Sequence, residues 1–171
     1  TTNGFLINER FIDYFNEKKI DCSFQITLDG HKEDHNKVRF VNSKTGSYDK
    51  IVQNIHSLVK NQYLVSVRVN YTDKNIKESK KIIYDFLSLP KEIKENYLII
   101  DFHRVWQNEN GLNIDDELKE IMNILRKNHF NVEGRHSSLN NVKSPCYADT
   151  RNSVTINYNG DIYKCTARDF T

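Results

Sequence analysis

The feature that most constrains this chain is the alternation of short strand-like runs with longer amphipathic helical stretches. Apolar residues recur at spacings of three and four in three places: Tyr48, Ile51, Val52, Ile55, Leu58 and Val59; then Ile76, Ile82, Ile83, Phe86 and Leu87; then Ile114, Leu118, Ile121, Met122 and Leu125. That period gathers each set on one face of a helix. Ser47, Asp73 and Asn113 stand where N-caps belong, and the third stretch opens on Asp115, Asp116 and Glu117 and closes on Arg126 and Lys127, as the helix dipole favours. A shorter helix is predicted over 8–18, with Phe11, Ile12 and Phe15 inward. Residues 22–28, 64–70 and 97–103 read as strands. Strands joined through helices need crossover connections, and that makes them parallel neighbours. The fold class expected is therefore α/β, either a partial (half) βα barrel or a small open sheet.

The tail differs in kind. From about Asn131 the helical pattern stops, and residues 153–157 and 162–165 read as short strands around Tyr158-Asn159-Gly160-Asp161. Asn-Gly between alternating residues is a hairpin signal. The expected division is 1–135 for the βα part and 136–171 for a small β-hairpin appendage.

Period-two bookkeeping gives each predicted strand an apolar and a polar side. Cys22, Phe24, Ile26 and Leu28 oppose Ser23, Gln25, Thr27 and Asp29. Val65, Val67, Val69 and Tyr71 oppose Ser66, Arg68 and Asn70, and Leu98, Ile100 and Phe102 oppose Asp101 and His103. Parallel strands covered on both faces would instead be continuous apolar runs. The polar side faces either bulk water or the interior of a wide barrel holding a polar ligand, and its groups concentrate toward the C-terminal strand ends, where βα folds place their sites.

Charge narrows the function classes. A net charge of +2, from 25 basic and 23 acidic residues, gives no electrostatic case for a nucleic-acid partner. No run approaches the roughly 18 apolar residues of a membrane span, and the first residues carry no secretion signal; the cytoplasm is the expected compartment. The run Lys77-Glu78-Ser79-Lys80-Lys81 reads as a solvated helix face. Three cysteines, Cys22, Cys146 and Cys165, make a poor disulfide framework. Cys22 reads as an inert buried residue, His31, His35 and His56 as surface histidines, Asp29-Gly30 as a turn, Arg39 as a surface arginine following a polar loop, and His103-Arg104 as a candidate ligand-contact pair. Thr1-Thr2-Asn3-Gly4 looks like the end of a strand and its following turn, so the chain is expected to be a piece of a longer protein.

Several of these segments fall into one order. Thr1-Thr2-Asn3-Gly4, Phe24-Gln25-Ile26-Thr27-Leu28-Asp29-Gly30, His35-Asn36-Lys37-Val38-Arg39, Tyr48-Asp49-Lys50-Ile51 and Val65-Ser66-Val67-Arg68-Val69-Asn70 resemble, in sequence and spacing, the later half of the radical S-adenosylmethionine barrel, in the branch of anaerobic sulfatase maturases and peptide maturases. Cys146, thirteen residues, Gly160, four residues and Cys165 resemble the opening of that branch's C-terminal SPASM domain, Cys-x(9-15)-Gly-x(4)-Cys.

The resemblance implies a half barrel of the radical S-adenosylmethionine type followed by the start of a SPASM domain. It implies that Thr2, Asn3, Gln25, Thr27, Asp29, Arg39, Arg68 and Asn70 line the S-adenosylmethionine pocket, and that Cys146 and Cys165 are thiolate ligands of an auxiliary iron-sulfur cluster. The cofactors implied for the whole protein are S-adenosylmethionine and 4Fe-4S clusters, which together supply a radical able to abstract hydrogen. The Cys-x(3)-Cys-x(2)-Cys motif of the catalytic cluster does not occur here, so this chain alone is expected to bind neither cofactor and to be inactive. Thr166 stands where sulfatase-maturing members place an aspartate base, which favours a peptide maturase. The partners implied are a peptide or protein substrate and a reductant for the cluster, with no nucleic acid and no membrane; exposed strand edges are expected to drive self-association. The alternatives are a non-catalytic α/β module that binds a peptide by strand addition, and a zinc site using Cys146, Cys165 and His136.

Overall fold

Strict alternation in Val65–Tyr71, where every odd-numbered residue is buried and every even one only partly so, fixes which side of the sheet the helices cover. The computed structural model describes residues 1–42, 44–105, 115–134, 154–156 and 161–164, which fall in two compact units, Thr1–Arg135 and His136–Thr171. In the first unit the order is α1 (Glu9–Glu17), β1 (Phe24–Asp29), α2 (Lys32–Val38), β2 (Phe40–Asn42), β3 (Thr45–Gly46), α3 (Tyr48–Lys60), β4 (Val65–Tyr71), α4 (Ile76–Ser79), α5 (Ile82–Phe86), α6 (Lys91–Tyr97), β5 (Leu98–Arg104), α7 (Asp115–Lys127) and β6 (Asn131–Gly134). The protein is α/β: β1, β4, β5 and β6 form one four-stranded sheet in that order, parallel throughout. A single parallel bridge from Thr2 to Ile26 continues it beyond β1.

One face of the sheet supplies the core. Ile26, Leu28, Val65, Val67, Val69, Leu98, Ile100 and Phe102 have no exposed surface, and they join Ile51, Ile55, Leu58, Phe86, Leu118 and Leu125 from the helices in one cluster. Each such side chain contributes about 1.5–3 kcal/mol by leaving water. α1 is capped by Asn8, whose Oδ1 accepts from the backbone N–H of Phe11 at 2.9 Å. It packs Phe11 and Phe15 against Phe24, and Tyr63 meets both Phe15 and Phe24 edge-on.

Four expectations need correction. The helix predicted over 76–87 is two short pieces, because Lys81, Ile83 and Tyr84 donate three residues back, to Glu78, Lys80 and Lys81, in a tightened turn that still delivers Ile82, Ile83 and Phe86 to the core. Asp73 is no cap of that helix; it accepts from Arg104 at 3.2 Å. Ser47 precedes α3 but makes no side-chain cap bond; Asn36 Oδ1 accepts from the Tyr48 N–H instead, at 3.1 Å. The polar stretch before Arg39 is not a loop but α2, followed by the antiparallel β2–β3 pair. Asn113, expected as the cap of α7, lies outside the described residues.

Two further elements, like α2, carried too weak a signal to be read. α6 follows Pro90, and β6 is a polar fourth strand entered through His129, whose positive φ of 65° closes α7. In the second unit Thr155–Ile156 and Ile162–Tyr163 pair antiparallel, Thr155 opposite Tyr163 and Ile156 opposite Ile162. The Asn159-Gly160 turn lies outside the described residues. No helix among the described residues is long and apolar enough to cross a membrane.

Candidate functional site on the polar face of the sheet

The parallel register stacks the polar side chains of successive strands in rows. Gln25, Ser66, Ile99 and Asn131 are neighbours in one row, Thr27, Arg68, Asp101 and Glu133 in the next, and Asp29, Asn70 and His103 at the C-terminal end. All lie opposite the helix-covered face. The sheet thereby collects Gln25, Thr27, Asp29, Arg68 and Asn70 on one surface without requiring contacts between distant loops.

At the C-terminal end these groups form a hydrogen-bonded chain. Asp29 accepts from Asn70 Nδ2 at 2.7 Å on one oxygen and is ion-paired with Arg39 Nε on the other. Asn70 Oδ1 in turn accepts from Arg68 Nε at 3.2 Å. Burial works to raise the Asp29 pKa, but hydrogen bonds from Arg39 and Asn70 and the Arg39 charge outweigh it and hold the carboxyl below its ordinary value. Arg39 is therefore no free surface arginine. Its fork stays partly exposed, and the terminal nitrogens of Arg68 make no bond to the described residues, leaving two guanidiniums able to receive an anionic group.

His35 fixes both ends of the Asp29–Arg39 pair and corrects its reading as a surface histidine. It is fully buried; Nδ1 accepts from the Asp29 backbone N–H at 3.2 Å, and Nε2 meets Ser47 Oγ at 3.0 Å. Ser47 Oγ then donates to the Arg39 carbonyl at 3.0 Å. With Nδ1 an acceptor, Nε2 carries the proton and the ring is neutral. Burial, more than any charge nearby, lowers its pKa to about 4; Asp29 works against the shift and Arg39 with it. Gly30 makes the turn between β1 and α2 at a φ of +74°, and Gly46 leaves room for the Asn36 side chain, which a Cβ there would strike. His31 and His56 are likewise engaged: His31 Nε2 lies 3.6 Å from Asp85 and His56 Nε2 is 2.7 Å from the Asp85 carbonyl.

Thr2 and Asn3 sit at the β1 edge, and the Thr2 N–H donates to the Gln25 carbonyl at 2.9 Å. Their side-chain oxygens accept from the N–H groups of Gly4 and Phe5, at 3.2 and 3.1 Å, so they shape the turn itself. Asn54, buried in α3, donates to the carbonyls of Gly4 and Phe5 at 2.8 and 3.0 Å and pins that turn to the helix. A depression lined by Asn3, Phe5, Arg39, Phe40 and Val41 runs from the turn to the α2–β2 corner.

On β5 a second group stands apart from this chain. Asp101 is 6% exposed, and its Oδ2 lies 2.6 Å from His103 Nε2. Its Oδ1 is closed to solvent and has no hydrogen-bond partner among the described residues. A buried acceptor left so costs about 1–3 kcal/mol. Arg68, its neighbour in register, forms no ion pair with it.

Cys146 and Cys165, the expected cluster ligands, and His136 lie outside the described residues. Cys22, expected to be buried, is only half-buried where it packs against the core cluster. Among the described residues no group of three or more His, Cys, Asp or Glu side chains could hold a metal.

No protein-family model matches the chain. Over 102 residues it is 34% identical to a cysteine-type anaerobic sulfatase-maturating enzyme of Clostridium novyi (strain NT), an alignment covering 59% of this chain and 25% of that protein. The chain thus spans about a quarter of the length of the curated relative it matches. That similarity supports the general radical S-adenosylmethionine family as the one this chain resembles.

Proposed function

We propose that this chain is part of a radical S-adenosylmethionine enzyme that modifies a peptide or protein, and that its substrate is a ribosomally made peptide rather than a sulfatase. The observation that carries the reading is the continuous polar surface of β1 and β4, ending in the Arg68–Asn70–Asp29–Arg39 chain at the C-terminal strand ends. The donor set suits S-adenosylmethionine, a ligand with a carboxylate, an ammonium, ribose hydroxyls and a purine. Arg68 and Arg39 offer guanidiniums for the carboxylate, Asp29 keeps Arg39 in place, and Gln25 and Thr27 offer an amide and a hydroxyl on the same surface. Thr2 and Asn3 supply the shaped turn beside them. When bound with its iron-sulfur cluster, the cofactor supplies a carbon-centred radical; the residues described here bind, orient and keep water away. Peptide maturation is favoured over sulfatase maturation by Thr166, which offers no carboxylate base after Cys165.

The test uses the complete protein encoded by the gene, reconstituted anaerobically with iron and sulfide. Formation of 5′-deoxyadenosine is expected, and Arg68→Ala is expected to raise the Kd for S-adenosylmethionine about 10-fold or more, the loss of a charge-assisted contact. Synthetic cysteine-containing peptides of the sulfatase type and of the ribosomal-precursor type separate the two substrate classes by mass spectrometry. No 5′-deoxyadenosine from a protein with a full iron complement would overturn the activity; modification of the sulfatase peptide alone would overturn the substrate preference.

A further inference from the structure

Beyond the cofactor-facing residues of β1 and β4, the sheet carries a second polar centre, the Asp101–His103 pair of β5. We propose that it is a substrate subsite, in which Asp101 Oδ1 accepts a hydrogen bond from an N–H donor, a backbone amide or an amine, of the peptide being modified. The inference rests on the maturase reading for the nature of the ligand, but its geometry stands on its own.

Three observations lead to it. The carboxylate is fixed, because His103 Nε2 holds Oδ2 at 2.6 Å and both side chains rise from the same side of one strand. An ionised carboxyl group has only acceptor capacity, and Oδ1 is closed to water with that capacity unspent. Such an oxygen is satisfied only by a donor that displaces whatever seals it from solvent in the unliganded chain. Finally, the available cation declines the role: Arg68 is the register partner of Asp101, yet gives its Nε to Asn70 and makes no bond to Asp101. The two centres therefore stay separate on adjacent strands, guanidinium on β4 and free carboxylate oxygen on β5.

Their chemistry divides the ligands. The Arg68 side receives an anionic group and the Asp101 side receives a donor. Glu133, next in register on β6, adds negative character beyond Asp101 and makes that end still less suited to an anion. His103 is a positioning residue here: with Nε2 donating to Asp101, it locks the carboxylate orientation and leaves Oδ1 for the substrate.

The experiment compares the complete reconstituted protein with its Asp101→Asn and His103→Gln variants, using the synthetic cysteine-containing peptides as probes. In Asp101→Asn the peptide KM is expected to rise about 10- to 100-fold, as for losing a hydrogen bond to a charged acceptor, while the KM for S-adenosylmethionine moves less than about 3-fold. His103→Gln, which frees the carboxylate without removing it, is expected to raise the peptide KM by a smaller factor. An unchanged peptide KM in Asp101→Asn would overturn the subsite, as would a rise in the S-adenosylmethionine KM equal to that of Arg68→Ala, which would put Asp101 in the cofactor pocket. Should Asp101→Asn fail to fold by thermal melting, His103→Gln decides by the same two KM values. If the wild-type protein forms no 5′-deoxyadenosine, the maturase reading fails by itself. Fluorescein-labelled copies of the peptides then test the subsite by equilibrium binding, where the same weakening in Asp101→Asn supports it and equal or absent binding overturns it.

Discussion

His35 shows how one buried side chain can govern a polar site it never enters. Its ring receives the Asp29 backbone N–H and reaches the Arg39 carbonyl through Ser47, so the relay depends on the imidazole staying neutral. With a folded pKa near 4 against an ordinary value of 6.5, the unfolded chain binds more protons between those limits. The stabilisation is complete above pH about 6.5 and is lost as the pH falls toward 4, up to about 3 kcal/mol in all. Urea unfolding across that window is expected to show the decline in the wild type and a flatter profile in His35→Gln. Gly30→Ala is expected to cost about 1–2 kcal/mol for the left-handed turn alone, and more because the new Cβ would lie 2.8 Å from Asn75 Nδ2; a thermal melt measures it. Asp29 and Arg68 could be found from sequence because strand periodicity assigns a face. The burial of His35 could not be: its neighbours Glu33, Asp34, Asn36 and Lys37 are all polar, and only the fold places it under Asp29.

Among the elements, the long strands and α1 were legible, and α2 and α6 were not. Alternation in β1 and β4 is carried by Ile26, Leu28, Val65, Val67 and Val69, each with no exposed surface, so the pattern and the packing agree. α2 has no apolar stripe that a periodicity argument could detect, since His35 is its one buried residue. β6 is similarly silent: Asn131 and Glu133 belong to the polar rows, and Val132 alone marks the core side. The sheet's own stability rests on its middle strands. Ile100 is fully buried at the centre of β5, and Ile100→Ala is expected to destabilise the protein by about 2–5 kcal/mol, read as a lower midpoint in chemical denaturation. An Ile99→Ala change, on the opposite and partly exposed side, is expected to cost far less.

At the scale of the whole molecule, the first unit is a one-sided sheet: its described helices share one core with the apolar face, and β6 is an edge strand among the described residues. Edges of this kind invite pairing with another copy. The chain taken alone is expected to self-associate, and a monodisperse monomer by light scattering at high concentration would contradict that. The domain architecture illustrates the limit of reading from residues: a parallel sheet follows from the alternation of strands and helices, whereas what lies against its polar side depends on partners that no strand pattern specifies. Asn54 has a consequence that reaches further than its position suggests. It belongs to the helical layer and touches no proposed ligand, yet both of its amide bonds end on the carbonyls that follow Thr2 and Asn3. If the proposed cofactor site is right, an Asn54→Leu protein is expected to keep its fold by circular dichroism and still bind S-adenosylmethionine weakly, so a genetic screen would score a remote lesion as a defect of the proposed binding loop.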